Sequence, residues 1–279
     1  MSFSSEVKEE LAGHVSSSRH CQLAELSAVI CFLGRVEMGG KSGIRLGIQT
    51  ENETVLRKCF TLLKKTFNID GDALQFPREE GKGHTYVTIT EDSGEADKIL
   101  QAVKMRGPDG GENTEAVKVN PLLIKNACCK RAFLRGAFLC IGSMSDPEKS
   151  YHLEFVCTHQ ESAEQLKELI QGFGVDAKIV IRKKYHVVYL KEGAGIVDLL
   201  NIMGAHISLM NFENYRIVKE VRILPVRNNS NCFAAVKSKA HHSHNAFRIY
   251  FSAFGLNVHR AFVLAGHLNQ HRDRSCLHS

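Results

Sequence analysis

Two stretches of the chain carry the same hydrophobic signature. Leu26-Ser-Ala-Val-Ile-Cys-Phe-Leu-Gly34 and Leu134-Arg-Gly-Ala-Phe-Leu-Cys-Ile-Gly142 are apolar nonapeptides closed by glycine, 108 residues apart (26 to 134, 34 to 142). Apolar runs of this length with small residues at their centre predict buried helices. At the same spacing, Thr50-Glu-Asn-Glu53 is echoed by Thr158-His-Gln-Glu161. Both have the capping-box form, in which Thr accepts from an early helix N–H and Glu reaches back to the cap. Each predicts an amphipathic helix, with Leu56, Phe60 and Leu63 on one apolar face and Leu166, Leu169 and Ile170 on the other. The helices give way at Asn68-Ile69-Asp70 and Gly174-Val175-Asp176.

Alternation of apolar and polar residues predicts strands between these landmarks. Over 44–49 and 152–157, Leu46, Ile48, Leu153 and Phe155 take the core parity. Later strands are expected at 86–90 and 186–190, the second paired with Lys178–Arg182 through the turn Lys183-Lys184-Tyr185. Final helices fall near 95–103 and 196–203. Each copy therefore reads helix, two strands, capped helix, two strands, helix, which is an α+β unit in two α-β-β-α-β-β-α repeats. Residues 1–105 hold an N-terminal helix and the first repeat, and residues 121–222 the second. Residues 106–120 are a linker whose opening, Arg106-Gly-Pro-Asp-Gly-Gly-Glu-Asn113, is rich in turn formers. Ser27, Ala28, Gly136 and Ala137 are small enough for the two leading helices to approach closely at a pseudo-two-fold interface. Gly34 and Gly142 are expected to release the chain from those helices into the first strands. The result would be a saddle with the two sheets forming its underside.

The paired nonapeptides resemble the LAGLIDADG signature of a DNA-cutting fold. That resemblance implies an acid just before each closing glycine, aimed at the scissile phosphates and holding a divalent metal, because Mg²⁺ requires hard oxygen ligands. The two positions are Leu33 and Ile141. Neither side chain binds metal, so the resemblance implies a fold without its catalysis. Glu37 and Asp146, just beyond the signature helices, are the carboxylates that a nuclease with displaced acids would use. More specifically, residues 1–222 resemble the bacterial WhiA family of DNA-binding regulators. The resemblance rests on Met1-Ser-Phe-Ser-Ser-Glu-Val-Lys-Glu-Glu-Leu11, Ala24-Glu-Leu-Ser-Ala28, Gln49-Thr-Glu-Asn52 and Cys128-Cys-Lys-Arg-Ala-Phe-Leu-Arg-Gly-Ala-Phe-Leu139. It continues through Tyr151-His-Leu-Glu154, Val188-Tyr-Leu-Lys-Glu192, Leu200-Asn-Ile-Met-Gly-Ala-His206 and Arg216-Ile-Val-Lys-Glu-Val-Arg222. It implies a non-catalytic, double-stranded-DNA-binding transcriptional regulator linked to sporulation, or to cell division and chromosome segregation. It also implies a C-terminal helix-turn-helix, but the family pattern stops at Arg222.

Charge sharpens that boundary. The net charge is +6, and residues 1–222, with 29 basic and 29 acidic side chains, contribute none of it. Residues 223–279 hold seven basic residues, a single acid (Asp273) and half of the 14 histidines. This irregular, basic, His-rich tail is what a reading-frame slip would produce, or else a genuine replacement domain. His241-His-Ser-His244 matches the spacing of no tetrahedral zinc site, and no metal, cofactor, catalytic residue or small-molecule substrate is expected. Among nine cysteines there is no Cys-x-x-Cys pair. Cys31, Cys59, Cys140 and Cys157 sit in apolar segments as small hydrophobes, and Cys128-Cys129 is a vicinal pair with redox potential. Candidate phosphate contacts are Lys178, Arg182, Lys183 and Lys184 on the predicted hairpin. Lys130, Arg131 and Arg135 form a second basic cluster, and Arg45, Gln49 and Tyr189 take outward strand parity. No segment is long and apolar enough to span a membrane. The expected location is cytoplasmic and nucleoid-associated, with DNA and a transcriptional protein as partners. A protein-interaction scaffold is the alternative that the neutral charge of residues 1–222 leaves open.

Overall fold

Small side chains decide how the two halves meet. The computed structural model of the protein describes residues 2–39, 43–69, 85–90, 93–105 and 118–223. All but the first residue of the tail assigned to residues 223–279, and most of the linker, lie outside the described residues. Helices α2 (Arg19–Leu33) and α5 (Ala127–Ile141) contain the two nonapeptides and pack side by side. They run parallel, since Cys21 and Ala24 cluster with Cys129 and Ala132 at one end. The approach is tightest at Gly136, where a methyl group would lie 2.7 Å from the Glu25 carbonyl oxygen and 2.9 Å from Ala28 Cβ. Ser27, Ala28 and Ala137 are fully buried nearby, and the Ser27 hydroxyl donates back to the Ala24 carbonyl at 2.8 Å. Gly34 and Gly142 end the helices, though not through a left-handed cap. Both are extended, at φ −70, ψ 142 and φ −82, ψ 147. Glycine is required there because so abrupt a change brings the Cβ position against the preceding turn. At Gly142 it would sit 2.6 Å from the Phe138 carbonyl oxygen.

The first repeat continues as β1 (Gly34–Gly39), β2 (Gly43–Thr50), α3 (Glu53–Phe67), β3 (Thr85–Thr90) and α4 (Ser93–Ala102). The second continues as β4 (Gly142–Met144), β5 (Leu153–Cys157), α6 (Gln160–Gln171), β6 (Lys178–Arg182), β7 (Tyr185–Leu190) and α7 (Gly193–Met203). The described strands form antiparallel sheets of order β1-β2-β3 and β4-β5-β7-β6. Ile44, Leu46 and Ile48 face one core, and Leu153, Phe155, Val188 and Leu190 the other, the parity expected from their alternation. The capping boxes are corrected. Asn52, not Thr50, caps α3 by accepting from Thr54 N at 2.9 Å, because β2 runs on through Thr50. Helix α6 begins after His159 without a side-chain cap, so Thr158 does not serve.

Two further helices clasp the repeats. The N-terminal helix α1 (Phe3–Gly13) buries Val7 and Leu11, and α8 (His206–Ile223) follows α7 as a long helix that the repeat pattern does not contain. Glu10 of α1 caps α8, accepting from Ile207 N at 2.7 Å and Ser208 N at 2.8 Å, where a carboxylate offsets the positive helix end. Glu9 binds α3 through Arg57 at 2.7 Å.

A fully buried carboxylate lies between the halves. Arg135 of α5 donates Nε to Glu25 Oε1 at 2.9 Å and Nη2 to Oε2 at 3.1 Å, and Nη1 to the Met203 carbonyl at 3.2 Å. Lys58 of α3 stands 3.0 Å from Glu25 Oε1. It also donates to the Leu11 carbonyl at 3.3 Å and to that of His14, satisfying the open C-terminal end of α1. Burial pulls the Lys58 pKa down and the Glu25 charge opposes it. Burial, then the Arg135 charge, lowers that of His14 beside the same cluster.

Gly136→Leu is expected to force α2 and α5 apart at a cost of about 1–3 kcal/mol, read as a fall in thermal midpoint. An unchanged midpoint would remove Gly136 from the interface. Glu25→Gln leaves two buried cations without their anion and is expected to lose about 3–5 kcal/mol in chemical denaturation. Replacing Glu25, Lys58 and Arg135 together by Gln, Met and Met should restore much of that loss. A triple variant as unstable as the single one would show that the charges are not the cause.

Candidate nucleic-acid interface

The helices cover one face of each sheet, and the other is built by strand parity. In the second sheet, register pairs Glu154 with Ser143 and Tyr189, Tyr189 with Lys178, and Arg182 with Tyr185. Directly paired residues share a face. This outer face therefore gathers Glu154, Tyr189, Lys178, Arg182 and Tyr185 around a seam of Val156, Val180 and Val187. The β6–β7 hairpin carries Lys183 and Lys184 at its tip, both exposed, with Lys183 in the left-handed region at φ 55. Lys184 Nζ lies 5.4 Å from the Tyr185 ring centroid and Lys191 Nζ 5.2 Å from that of Tyr189. Each ammonium is thus held over an aromatic face by its quadrupole.

One acid organises this face. Glu154 accepts from Arg182 Nη1 at 2.8 Å and from His152 Nε2 at 2.8 Å. The His152 ring stacks on Tyr189 with centroids 6.0 Å apart. Burial pushes the Glu154 pKa up, but the His152 hydrogen bond and the charges of His152 and Arg182 outweigh it, and the net pKa is below the ordinary carboxylate value. Lys178 is looser, 3.5 Å from Asp176 with both side chains exposed. In the first sheet, Arg35 donates Nε to Gln49 Oε1 at 2.8 Å, and exposed Arg45 pairs in register with Glu37.

The structure divides the expected contacts. Lys178, Arg182, Lys183, Lys184 and Tyr189 come together on one face, and Arg45 and Gln49 lie on the corresponding face of the other sheet. Lys130 and Arg131 do not join them. They occupy the first two turns of α5 in the helical layer, where the Arg131 guanidinium lies 5.9 Å from the Phe173 ring centroid. Arg135 is corrected outright: it is 4% exposed and chelates Glu25, so it cannot reach a phosphate. His152, Glu154, Lys191 and Arg35 were not anticipated. Outward parity beside buried Leu153 and Phe155 was the signal for His152 and Glu154.

The acid positions of the signature helices are apolar in place as well as in sequence. Leu33 and Ile141 are the last residues of α2 and α5, packed against the cores. Asp146 lies in the loop after β4, where its Oδ1 accepts from Glu148 N at 2.9 Å. Glu37 is in β1, off the helix ends. Among the described residues no helix is long and apolar enough to cross a membrane.

Comparison with known proteins gives the same two halves. Residues 19–105 match the model described as the WhiA N-terminal LAGLIDADG-like domain, and residues 130–222 the one described as the WhiA LAGLIDADG-like domain. The chain belongs to the WhiA family. It is 48% identical over 237 residues to the probable cell division protein WhiA of Lachnoclostridium phytofermentans, covering 84% of this chain and 75% of that one. To the WhiA of Alkaliphilus oremlandii it is 44% identical over 242 residues, covering 86% and 75%. The fold is similar to full-length DUF199/WhiA from Thermatoga maritima, with a TM-score of 0.61 at 21% identity over 88% of this chain and 75% of that one. The LAGLIDADG-like architecture expected from the repeated nonapeptides is therefore the WhiA architecture.

The Glu154 carboxyl is expected to titrate below the ordinary carboxylate range in an NMR pH series. Its native pKa is the depressed one, so the stability it contributes is present above the unfolded value and is lost as pH falls through the folded value. Arg182→Met and His152→Ala should each move its midpoint upward. A midpoint unmoved by either change would mean that the network is not formed in solution.

Proposed function

We propose that this WhiA-family chain is a non-catalytic DNA-binding regulator of transcription, acting in cell division and chromosome segregation or in sporulation. In this reading it works in the cytoplasm on the nucleoid, alongside a protein partner in transcription. The observation that carries the reading is the outer face of the second sheet. Lys178, Arg182, Lys183 and Lys184 are exposed there beside Tyr189, with valines between the charges. Lysine and arginine at that spacing suit a duplex backbone, and such contacts fix position without reading sequence. Arg182, held by Glu154, is preorganised, Lys184 lies over the Tyr185 ring, and Lys183 extends from the exposed hairpin tip. Arg45 and Gln49 would extend the contact to the first sheet.

The non-catalytic part rests on Leu33 and Ile141, which offer a metal no oxygen at the helix ends. Asp146 is engaged with its own loop, and the displaced-acid nuclease draws no support from it.

Fluorescence anisotropy with labelled duplexes across a salt series tests the reading on the full chain, so that the basic tail is constant. Lys183→Ala with Lys184→Ala should weaken binding about equally across sequences and flatten the log Kd against log salt slope by about one unit per lost contact. Glu154→Gln should tighten binding, because it removes the anion that holds Arg182 on that face. The same protein should leave supercoiled plasmid intact in Mg²⁺ or Mn²⁺. Unchanged affinity and slope in the lysine variant would move binding off this face, and no affinity at low salt would leave the scaffold alternative. Nicking that disappears on changing Glu37 or Asp146 would restore the nuclease.

A further inference from the structure

Each half contributes the same two positions to a cluster at the N-terminal end of the central helix pair. His20 and Cys21 are the second and third residues of α2, and Cys128 and Cys129 the second and third of α5. The pairs are related by the 108-residue step of the repeat (20 to 128, 21 to 129). Because the helices run parallel, that step brings all four side chains to one place. Their ligand atoms, one imidazole nitrogen and three sulfurs, all lie within 4.8 Å of one another. His20 Nδ1 is 3.2 Å from Cys129 Sγ and 3.3 Å from Cys21 Sγ. Cys21 and Cys129 are buried over Ala24 and Ala132, while His20 and Cys128 lie exposed at the rim.

We propose that His20, Cys21, Cys128 and Cys129 form a structural zinc site that ties the two halves together. Three thiolates and one imidazole are a complete tetrahedral zinc shell, and a shell with no open position is structural rather than catalytic. With sulfur at about 2.3 Å and nitrogen at about 2.0 Å, tetrahedral zinc separates its ligand atoms by about 3.5–3.8 Å. The cluster already spans that range, and the two exposed side chains can close on an ion held by the two buried ones. Thiolates select zinc over the hard cations that suit carboxylates. The shell carries one net negative charge and sits where two helix N-termini converge. Neither Ser18 nor Asn126 caps its helix with a side chain, so first-turn N–H groups are available to the sulfurs. The site is separate from the LAGLIDADG acid positions, Leu33 and Ile141, which lie at the other ends of the same helices. Metal binding displaces the thiol protons to solvent, and no oxidation is involved.

The test uses the full, untagged chain purified without chelator. Elemental analysis should find one zinc per chain. Anaerobic exchange with Co²⁺ should give the intense d–d bands and sulfur-to-cobalt charge transfer of a tetrahedral S₃N site. Cys21→Ser with Cys129→Ser should lose both the metal and the bands. Cys232→Ser with Cys276→Ser, in the tail, should keep both. His20→Cys should still bind cobalt with its bands shifted toward those of an S₄ site, which keeps the test decisive if the double serine variant does not fold. The proposal is overturned by a chain that takes up neither metal, by an octahedral cobalt spectrum, or by metal that survives the loss of Cys21 and Cys129. A disulfide among Cys21, Cys128 and Cys129 in freshly isolated protein overturns it as well, in favour of redox chemistry.

Discussion

The buried carboxylate of Glu25 ties together helices from both halves. A carboxylate taken out of water costs several kcal/mol unless its oxygens are paired, and here every partner comes from a different element. Arg135 reaches it from the second half and Lys58 from the first, while the same two cations hold the ends of α7 and α1 through the Met203 and Leu11 carbonyls. Removing the anion would therefore disturb five helices at once. The small residues complement this. Gly136 lets the α2 backbone come close enough for Arg135, one residue earlier, to grip Glu25 in bidentate fashion.

With the helix pair fixed, each sheet is directed by the strand that leaves its helix. The extended backbone at Gly34 and Gly142 starts β1 and β4 without a loop, so there is little freedom in how a sheet hangs from its helix. The outer face of each sheet is thereby set by the helix from which its first strand leaves. In the second sheet its charges include Arg182, anchored by Glu154, and the exposed Lys183 and Lys184 of the hairpin tip. That combination favours grip over base discrimination, because discrimination depends on groups reaching base edges in a groove.

Much of this was legible in the chain itself. The 108-residue step, the strand parities and the paired nonapeptides depend on local periodicity, which short windows display. The apolar cysteines also behaved as expected, with burial pushing the Cys31, Cys59 and Cys157 thiols up to about 12. What was not legible depends on partners far apart in sequence. Arg135 reads as an exposed cation until Glu25, 110 residues away, is seen against it. Lys58 falls on the apolar face with Val55, Cys59 and Leu62, a mismatch that a helical-period reading could have flagged. The Thr50 cap failed because Thr50 and Asn52 are both good caps, and only the length of β2 chooses between them. Cys128-Cys129 reads as an isolated vicinal pair until the 108-residue step links it to His20 and Cys21.

The repeat is symmetric, but its buried charges are not. Stepping by 108 residues, Glu25 corresponds to Phe133, Lys58 to Leu166 and Arg135 to Ser27. Two copies of the first half, meeting as α2 meets α5, would leave each Glu25 its own Lys58 but put a serine where the arginine stands. Two copies of the second half would bury two guanidiniums against phenylalanine. The second pairing leaves desolvated guanidiniums of like sign together without a carboxylate, and the first strips each carboxylate of its bidentate partner. The asymmetry therefore works as a polarity check on assembly. Each half is matched to the other rather than to its own kind, which favours the pairing of unlike halves over that of like ones.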